Sequence, residues 1–212
     1  MSIIIRQEEE RDYRRVEEIA REAFWNLYFP GTDIPVVVNK LRRSSDFIKE
    51  LTYVIEVNGK VEGAIFYTNS KIIDKKEVEH KVISFGPVFI SPEFHRQGLG
   101  RKLITYTIEK AKEMGYRAII TLGYPYHYEP YGFLGGKKYG ISMPDMKFYR
   151  GLLVLPLYEG ALENISGYVI FSNDLEATQE EIEEFDKRFP YKEKGFQESQ
   201  LEYEKVCAEL DE

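Results

Sequence analysis

The chain has 212 residues, a formal net charge of −7, 43% hydrophobic residues and 31% charged residues. This length is enough to bury a core, and so high a hydrophobic fraction excludes a disordered chain. The net negative charge gives no general attraction for nucleic acid or for an anionic membrane, and no long uncharged apolar run predicts a membrane span.

The cysteine and histidine content argues against a disulfide and against a zinc site. Cys207 is the single cysteine, and the histidines His80, His95 and His127 are scattered. The apolar stretch at the start is too short, and too quickly followed by charge, for a signal peptide. We therefore expect a cytoplasmic protein without a metal and without nucleic-acid or membrane partners. Whether it forms a homodimer stays open.

The first third of the chain predicts a strand, two helices and a hairpin. Residues 3–5 form a short apolar run, and residues 12–24 place their apolar side chains on one helical face. A second helix is predicted from about Pro35 to Glu50. Residues 51–67 predict a hairpin, because two β-rich runs flank Asn58-Gly59, which is the strongest short turn signal.

An aromatic loop follows the first predicted helix. It contains Trp25, Tyr28 and Phe29 within residues 25–31. Such an apolar loop either packs on the core or lines a pocket for a substrate, since ligand pockets are commonly apolar and aromatic. The residues alone leave both interpretations open.

The next strand is predicted over residues 79–90, and it contains an unusual Gly86-Pro87 pair. Proline removes a backbone donor and glycine favours a bulge, so this pair predicts a break in the strand pairing. A helix then begins near Gly98 and ends before Gly115, because apolar residues recur at three- and four-residue spacing between them.

The start of this helix predicts an anion-binding site. The first backbone N–H groups of a helix are unpaired, and glycines at 98 and 100 leave room for a phosphate close to them. Arg96, Arg101 and Lys102 add positive charge. A dinucleotide-binding loop would need a third glycine where Leu103 lies, and a nucleoside-triphosphate loop would need Lys and then Ser or Thr. A simple tight turn is the remaining alternative.

The rest of the chain predicts further strands and one acidic helix. A strand over residues 117–122 lies parallel to the preceding one, with a right-handed crossover between them, so a ligand site is expected at their carboxyl ends. Residues 139–143 and 152–157 predict two strands that pair with each other. The remaining predictions are a strand over 167–172 and a helix over 178–188.

Two motifs in register resemble the GNAT superfamily of acyl-CoA-dependent N-acetyltransferases. The segment SPEFHRQGLGRKLI, from Ser91 to Ile104, is similar to the family's pyrophosphate-binding motif Gln/Arg-x-x-Gly-x-Gly/Ala. The later segment YHYEPYGFLGG resembles the Tyr-x-x-x-Gly-Phe motif, with Tyr128, Gly132 and Phe133 at the matching positions. One departure is His95, which occupies the first motif position where Gln or Arg is usual.

This resemblance implies an α/β (α+β) fold with a central mixed sheet, a splayed parallel strand pair and helices on both faces. It also implies that residues 1–157 form the acetyltransferase core and that residues 158–212 are an extension packed on it. Acetyl-CoA is then the cosubstrate. The residues expected to bind it are Val88, Phe89 and Ile90 on the splayed strand and His95, Arg96, Gln97, Gly98, Leu99, Gly100 and Arg101 in the loop.

By the same resemblance, Tyr128 is the general acid that protonates the departing thiolate, and the backbone N–H near Val88 contacts the acetyl carbonyl. A phenol suits this role, because its pKa near ~10 keeps it protonated at neutral pH. A packing role for Tyr128 stays open, with Tyr126 and Tyr131 as substitutes. The base position of some family members falls on Ser84, which could hold a water molecule as a relay. Glu79, His80 and Glu129 are further candidates for the proton sink.

The sequence therefore predicts an N-acetyltransferase that transfers an acetyl group from acetyl-CoA directly to an amine in a ternary complex. Trp25, Tyr28 and Phe29 are the candidate acceptor pocket, since this segment shapes the acceptor site in the resembled family. Two alternatives stay open. One is an acyl-CoA-binding sensor or structural module without turnover, and the other is a nucleotide-binding protein. The sequence leaves the identity of the amine undetermined.

Overall fold

A mixed sheet of nine strands organises residues 1–211, the part of the chain that the computed structural model describes. The strands are β1 (Ile3–Gln7), β2 (Tyr53–Val57), β3 (Lys60–Asp74), β4 (Glu79–Ile90), β5 (Ala118–Leu122), β6 (Leu134–Gly135), β7 (Ile141–Ser142), β8 (Leu152–Pro156) and β9 (Gly167–Ile170). The α-helices are α1 (Tyr13–Phe24), α2 (Ile34–Leu41), α3 (Leu99–Glu113), α4 (Pro125–Tyr128), α5 (Gln179–Asp186) and α6 (Glu198–Ala208).

The strand order places one parallel pair in the middle of the sheet. The order is β1-β2-β3-β4-β5-β8-β6, and β9 pairs with the outer part of β3 and with β7. β4 and β5 are parallel, with α3 as the crossover between them, while their other neighbours in this order are antiparallel. The expected mixed sheet with a central parallel pair is confirmed.

Helices cover both faces of the sheet, as expected. Successive strand residues point to opposite faces, so Ile55 and Ile65 pack with α3 on one face. Val54 and Ala64 pack with α1 and α2 on the other. A buried hydrogen bond of 3.0 Å between the hydroxyls of Tyr67 and Thr107 also joins β3 to α3.

Most predicted elements lie where the sequence places them, and β4 has the predicted bounds. The hairpin of β2 and β3 turns at Asn58-Gly59, both of which have positive φ values. The second helix is shorter than predicted, because it ends at Leu41 rather than near Glu50. The segment predicted as its last turns pairs with β3 instead, since Ile48 N–H donates to the carbonyl of Tyr67 and Phe47 forms a β-bridge with Thr68.

The predicted pairing of residues 139–143 with 152–157 is wrong. β7 pairs with β9, whereas β8 lies between β5 and β6. β9 can approach β3 closely because Gly167 has no side chain, and a Cβ atom there would lie 1.9 Å from the carbonyl oxygen of Ile73. β7 cannot pair with β8, because β5 and β6 occupy both edges of β8, and β7 pairs instead with the free edge of β9.

The last fifty residues add to both the sheet and the helical layer. β9 joins the sheet, and α5 packs Ile182 and Phe185 against Val36 of α2. Helix α6 was not predicted, because no residue in it is buried and its apolar residues show no helical periodicity. The division at residue 157 stays a prediction, and its expected end at residue 212 lies one position outside the described residues.

Candidate active site

A gap between β4 and β5 opens at the centre of the sheet. The two strands pair at Ile83 with Ile119 and at Ser84 with Ile120, and they then separate. At the point of separation, the Thr121 hydroxyl donates to the carbonyl of Phe85 at 3.1 Å. Gly86 and Pro87 lie opposite the single residue Phe66 of β3, which makes the bulge that the sequence predicts.

The bulge leaves backbone groups of β4 facing this gap. Ser91 N–H donates to the Glu62 carbonyl of β3. Along an antiparallel strand, the backbone N–H and C=O groups of successive residues point alternately to one neighbouring strand and to the other. Phe89 therefore pairs with β3, while Val88 and Ile90 direct their N–H and C=O groups away from it. The His95 imidazole lies 2.9 Å from the Ile90 carbonyl, which occupies one of these groups. Val88 is thus the expected position with a free donor.

The start of α3 lies beside Ile90, at the end of β4 that borders this gap. Gly98, with a φ of 80°, precedes the helix and provides no side-chain cap. The N–H groups of the first helical residues, Leu99, Gly100 and Arg101, therefore lack intrahelical partners. A Cβ atom at Gly100 would meet nothing closer than 3.7 Å, so the protein itself leaves space above these amides.

Three cationic residues flank these amides in the chain. Arg96, Arg101 and Lys102 are exposed, and none of them lies within 4.0 Å of a carboxylate oxygen in residues 1–211. The Gln97 side chain instead turns back and donates to the Glu93 carbonyl at 3.2 Å. Free amides, the positive end of a helix dipole and unpaired cations together suit an anion such as a pyrophosphate.

Tyr128 lies at the carboxyl end of β5, on the short helix α4. Its ring packs against Phe85 and Phe133, with centroid distances of 5.3 and 5.8 Å. Gly123 makes this position available, because a Cβ atom there would lie 2.5 Å from the Tyr128 ring. The hydroxyl has no hydrogen-bond partner within the described chain. Burial raises the pKa of Tyr128 to about 12, so the phenol is a protonated donor at neutral pH.

Ser84 is buried and faces a neighbour on β3. Its hydroxyl lies 2.8 Å from the hydroxyl of Ser70, so its hydrogen-bonding capacity is partly used inside the sheet. Glu79 and His80 lie near the far end of β4, where His80 bonds Asp74 and Glu79 bonds Lys71. The predicted base candidates on β4 are therefore engaged with protein groups.

One residue of the aromatic loop packs on the protein, and two others line a cleft, so both interpretations that the sequence leaves open apply to part of the loop. Trp25 is buried, and its indole N–H donates to the Glu193 carbonyl at 2.9 Å, which is a packing role. Tyr28 and Phe29 instead line a cleft of about 580 Å³. The phenol of Tyr28 lies near the phenol of Tyr128, and burial together with the Tyr128, Tyr203 and Tyr124 hydroxyls raises the pKa of Tyr28.

A residue that the sequence does not single out lies beside this loop. Tyr203 of α6 stacks on Tyr28 with ring centroids 4.1 Å apart. Cys207, also on α6, borders the same cleft. No local signal marks these positions, because each of them is far along the chain from the glycine loop and the tyrosine turn.

Two further properties concern the described residues. No set of three or more His, Cys, Asp or Glu side chains in residues 1–211 is arranged to hold a metal ion. Over the same residues, every helix is too short or too polar to cross a bilayer.

The chain is similar to known acetyltransferases. The model of the acetyltransferase (GNAT) family matches residues 10–133. The uncharacterized N-acetyltransferase YhbS of Escherichia coli (strain K12) is 27% identical over 113 residues, which are 48% of this chain and 68% of that protein.

Solved structures extend the likeness over most of the fold. The GNAT family N-acetyltransferase YhbS from Escherichia coli, in complex with CoA, has a TM-score of 0.71 at 21% identity and covers 81% of this chain and 91% of its own. A GNAT family acetyltransferase from Brucella melitensis, in complex with acetyl-CoA, has a TM-score of 0.67 at 20% identity, over 82% of this chain and 99% of its own.

Proposed function

Because the chain belongs to the GNAT acetyltransferase family, we propose that it transfers an acetyl group from acetyl-CoA to a primary amine within a ternary complex. The observation that carries this proposal is the gap between β4 and β5. It has free helix amides on one side and the unpaired hydroxyl of Tyr128 at its end. The two similar structures, which contain CoA and acetyl-CoA, support the choice of donor.

The proposed binding site uses backbone groups for most of its contacts. The N–H groups of Leu99, Gly100 and Arg101 bind the pyrophosphate, and Arg96 adds charge. The free edge of β4 at Val88 binds the pantetheine arm by the same kind of hydrogen bond that joins two strands. In this assignment, His95 and Gln97 hold the loop through their bonds to backbone carbonyls, and Phe89 and Ile90 support the edge.

The proposed chemistry needs one oxyanion donor and one acid. The Val88 N–H stabilises negative charge on the thioester oxygen while the neutral amine attacks the carbonyl carbon. A C–N bond forms, the C–S bond breaks, and the Tyr128 hydroxyl gives its proton to the departing sulfur. The amine releases its proton to water, and a relay through Ser84 stays a prediction. Tyr128 then regains a proton from solvent.

A second candidate function has a specific observation in its favour. The acidic and histidine side chains of β4 are engaged elsewhere, and Ser84 is bonded to Ser70, so no base of β4 faces the gap. A protein that binds acyl-CoA as a sensor or structural module needs no such base. This alternative predicts tight acetyl-CoA binding without turnover.

The test is release of CoA from acetyl-CoA in the presence of a panel of primary amines, read by thiol titration and by mass of the product. The proposal predicts an acetylated amine and a rate that saturates with both substrates. Intact protein mass after incubation with acetyl-CoA alone should be unchanged, because direct transfer forms no acetyl-enzyme. An acetyl adduct on Cys207 would replace direct transfer by a two-step route. Binding without turnover across the panel would favour the sensor.

A further inference from the structure

An amine that attacks a thioester must lose a proton, and the base candidates on β4 are bonded to other protein groups. Ser84 lies against Ser70, and His80 is bonded to Asp74. A base that serves the gap therefore has to come from another element. The short helix α4, which carries Tyr128, is such an element, because the acid and the base of this reaction act on atoms bonded to the same carbon.

His127 lies on α4, directly before Tyr128. Only two residues separate this helix from the carboxyl end of β5, and the His127 N–H donates to the Tyr124 carbonyl at 3.0 Å, which closes its first turn. The ring centroids of His127 and Tyr128 are 6.3 Å apart. An acid needs to lie about 3 Å from the sulfur and a base about 3 Å from the nitrogen, so a separation of this size fits both roles.

The imidazole of His127 is free to accept a proton. The residue is exposed, and its ring nitrogens have neither a hydrogen-bond partner nor a carboxylate within 4.0 Å in residues 1–211. The other two histidines differ, since the Nε2 atom of His80 lies 2.9 Å from Asp74 and that of His95 lies 2.9 Å from the Ile90 carbonyl. His127 is thus the histidine of the described chain that has both ring nitrogens available.

The groups around the imidazole keep it neutral. The rings of Tyr126 and Tyr124 lie 4.4 and 5.7 Å from it, measured between centroids. Partial burial lowers the pKa of His127 below the usual value for histidine, about 6.5, so the ring is an unprotonated base at pH 7. Burial, Tyr126 and the α6 residues Glu202 and Cys207 raise the pKa of Tyr124, so α6 also contributes titratable groups to the surroundings of this turn.

We propose that His127 is the general base of the transfer. As the amine nitrogen bonds to the carbonyl carbon it becomes positively charged, and His127 removes one of its protons. The C–S bond of the same carbon breaks, and Tyr128 gives its proton to the departing sulfur. The imidazolium then releases its proton to solvent and Tyr128 regains one, so both side chains return to their starting state. This inference rests on the proposed acetyl transfer, because it assigns a second catalytic residue to that reaction.

The first test needs no acceptor. NMR spectroscopy records the Cε1–H signals of the histidines in the protein saturated with CoA and with acetyl-CoA, and His127→Gln and His80→Gln assign them. The two ligands differ only in the acetyl group. The His127 signal should therefore differ between the two complexes, whereas the signal of His80, near the far end of β4, should coincide. Equal His127 signals in the two complexes would overturn the inference.

The second test uses the dependence of turnover on pH. At pH 8, His127→Gln should lower kcat with a competent amine about ten- to hundredfold, near the lower limit for general base catalysis, because water can compete at an exposed site. The loss should shrink toward pH 5, since His127 is protonated below its pKa and no longer acts as a base. The measurement is the ratio of wild-type to variant kcat, in which protonation of the acceptor cancels. Affinity for acetyl-CoA should not change.

A third measurement separates a base from a structural residue. His127→Ala leaves room for a ring from solution, so added imidazole should restore part of the lost kcat at pH 8. His80→Gln is the matched control, because this ring is bonded to Asp74 away from the gap, and its kcat should follow the wild type at each pH. A ratio that does not change with pH, or no rescue by imidazole, would overturn the inference. A His127 signal that responds to the acetyl group, without an acetylated product from any amine, would overturn the proposed function alone.

Discussion

The two ends of the site are built in different ways. The end assigned to the donor consists of backbone groups from one continuous stretch, from the bulge at Gly86 to the first turn of α3. The rest of the site consists of side chains from three distant segments, represented by Tyr28, Tyr128 and Tyr203. A site made of backbone leaves a pattern of glycines in the sequence, while a site made of distant side chains leaves no local pattern.

The largest expected effect removes the proposed acid and leaves the backbone groups of the donor end intact. Tyr128→Phe keeps the ring that packs on Phe85 and Phe133 and removes the hydroxyl. Turnover should fall about a hundred- to ten-thousandfold, which is the usual contribution of general acid catalysis. The measurement is kcat with a competent amine, together with acetyl-CoA affinity and thermal stability, which should both be nearly unchanged.

Tyr131→Phe is the control for this change, because Tyr131 lies on the same turn but next to the Arg101 guanidinium. It should keep most of the turnover. Unaltered kcat in Tyr128→Phe would move the acid to another tyrosine. A loss of stability that matches the loss of rate would identify Tyr128 as a packing residue.

The second effect breaks the donor end. Gly100→Val should lower acetyl-CoA affinity at least tenfold, because its side chain would occupy the space above the helix amides while meeting little of the protein itself. Gly98→Ala should lower affinity and also stability, since its φ of 80° disfavours any side chain. Calorimetric titration with CoA measures the affinity of both variants, and thermal unfolding measures their stability.

Gly115→Ala is the matched control for Gly98→Ala. Gly115 ends α3 with a φ of 77°, and its surroundings are equally open. It should show the same loss of stability, about 1 kcal/mol, with unchanged affinity for CoA. If Gly100→Val and Gly98→Ala also bind CoA as the wild type does, the amides at the start of α3 are not the pyrophosphate site.

The smallest expected effect concerns pH, because kcat should not change over the range in which an ordinary phenol would lose its proton. Tyr128 donates its proton only below its pKa, and burial raises that pKa from ~10, the usual value for tyrosine, to about 12. With an acceptor that is already neutral at pH 8, kcat should therefore stay level between pH 8 and pH 10. A decline centred near pH 10 would show an ordinary phenol or a different acid.

The same shift affects stability. A phenol whose pKa is higher in the folded state contributes stability that is fully present below its unfolded value and is lost as pH rises toward the folded value. Burial raises the pKa values of Tyr28 and Tyr67 as well, so unfolding should become easier above pH 10. Tyr128→Phe should lessen this loss, which chemical unfolding at pH 9 and pH 11 can measure.

The sequence predicts the donor end better than the acceptor end for a physical reason. The bounds of β4, the bulge at Gly86-Pro87 and the start of α3 follow from local backbone preferences, which the residues themselves carry. The early end of α2 does not follow, since it depends on contacts of residues 47 and 48 with β3.

The missed elements depend on tertiary contacts in the same way. Helix α6 has no buried residue and hence no apolar periodicity, so its presence over the cleft follows from its hydrogen bonds to the aromatic loop. The pairing of β7 with β9 depends on an insertion between strands that are remote in sequence. Tyr203 contacts Tyr28 only when these segments meet.

Because β4 and β5 pair over so short a length, the sheet also has two halves. One half contains β1 to β4, and the other contains β5, β8 and β6. Where the gap begins, the halves are joined by two residue pairs and by the hydrogen bond of the Thr121 hydroxyl. A pantetheine arm that is bonded to β4 and contacts Tyr128 on the β5 side would link the two halves. Acetyl-CoA should then slow amide hydrogen exchange at Ile119 and Ile120, whereas adenosine 3′,5′-bisphosphate, which lacks the arm, should leave it unchanged.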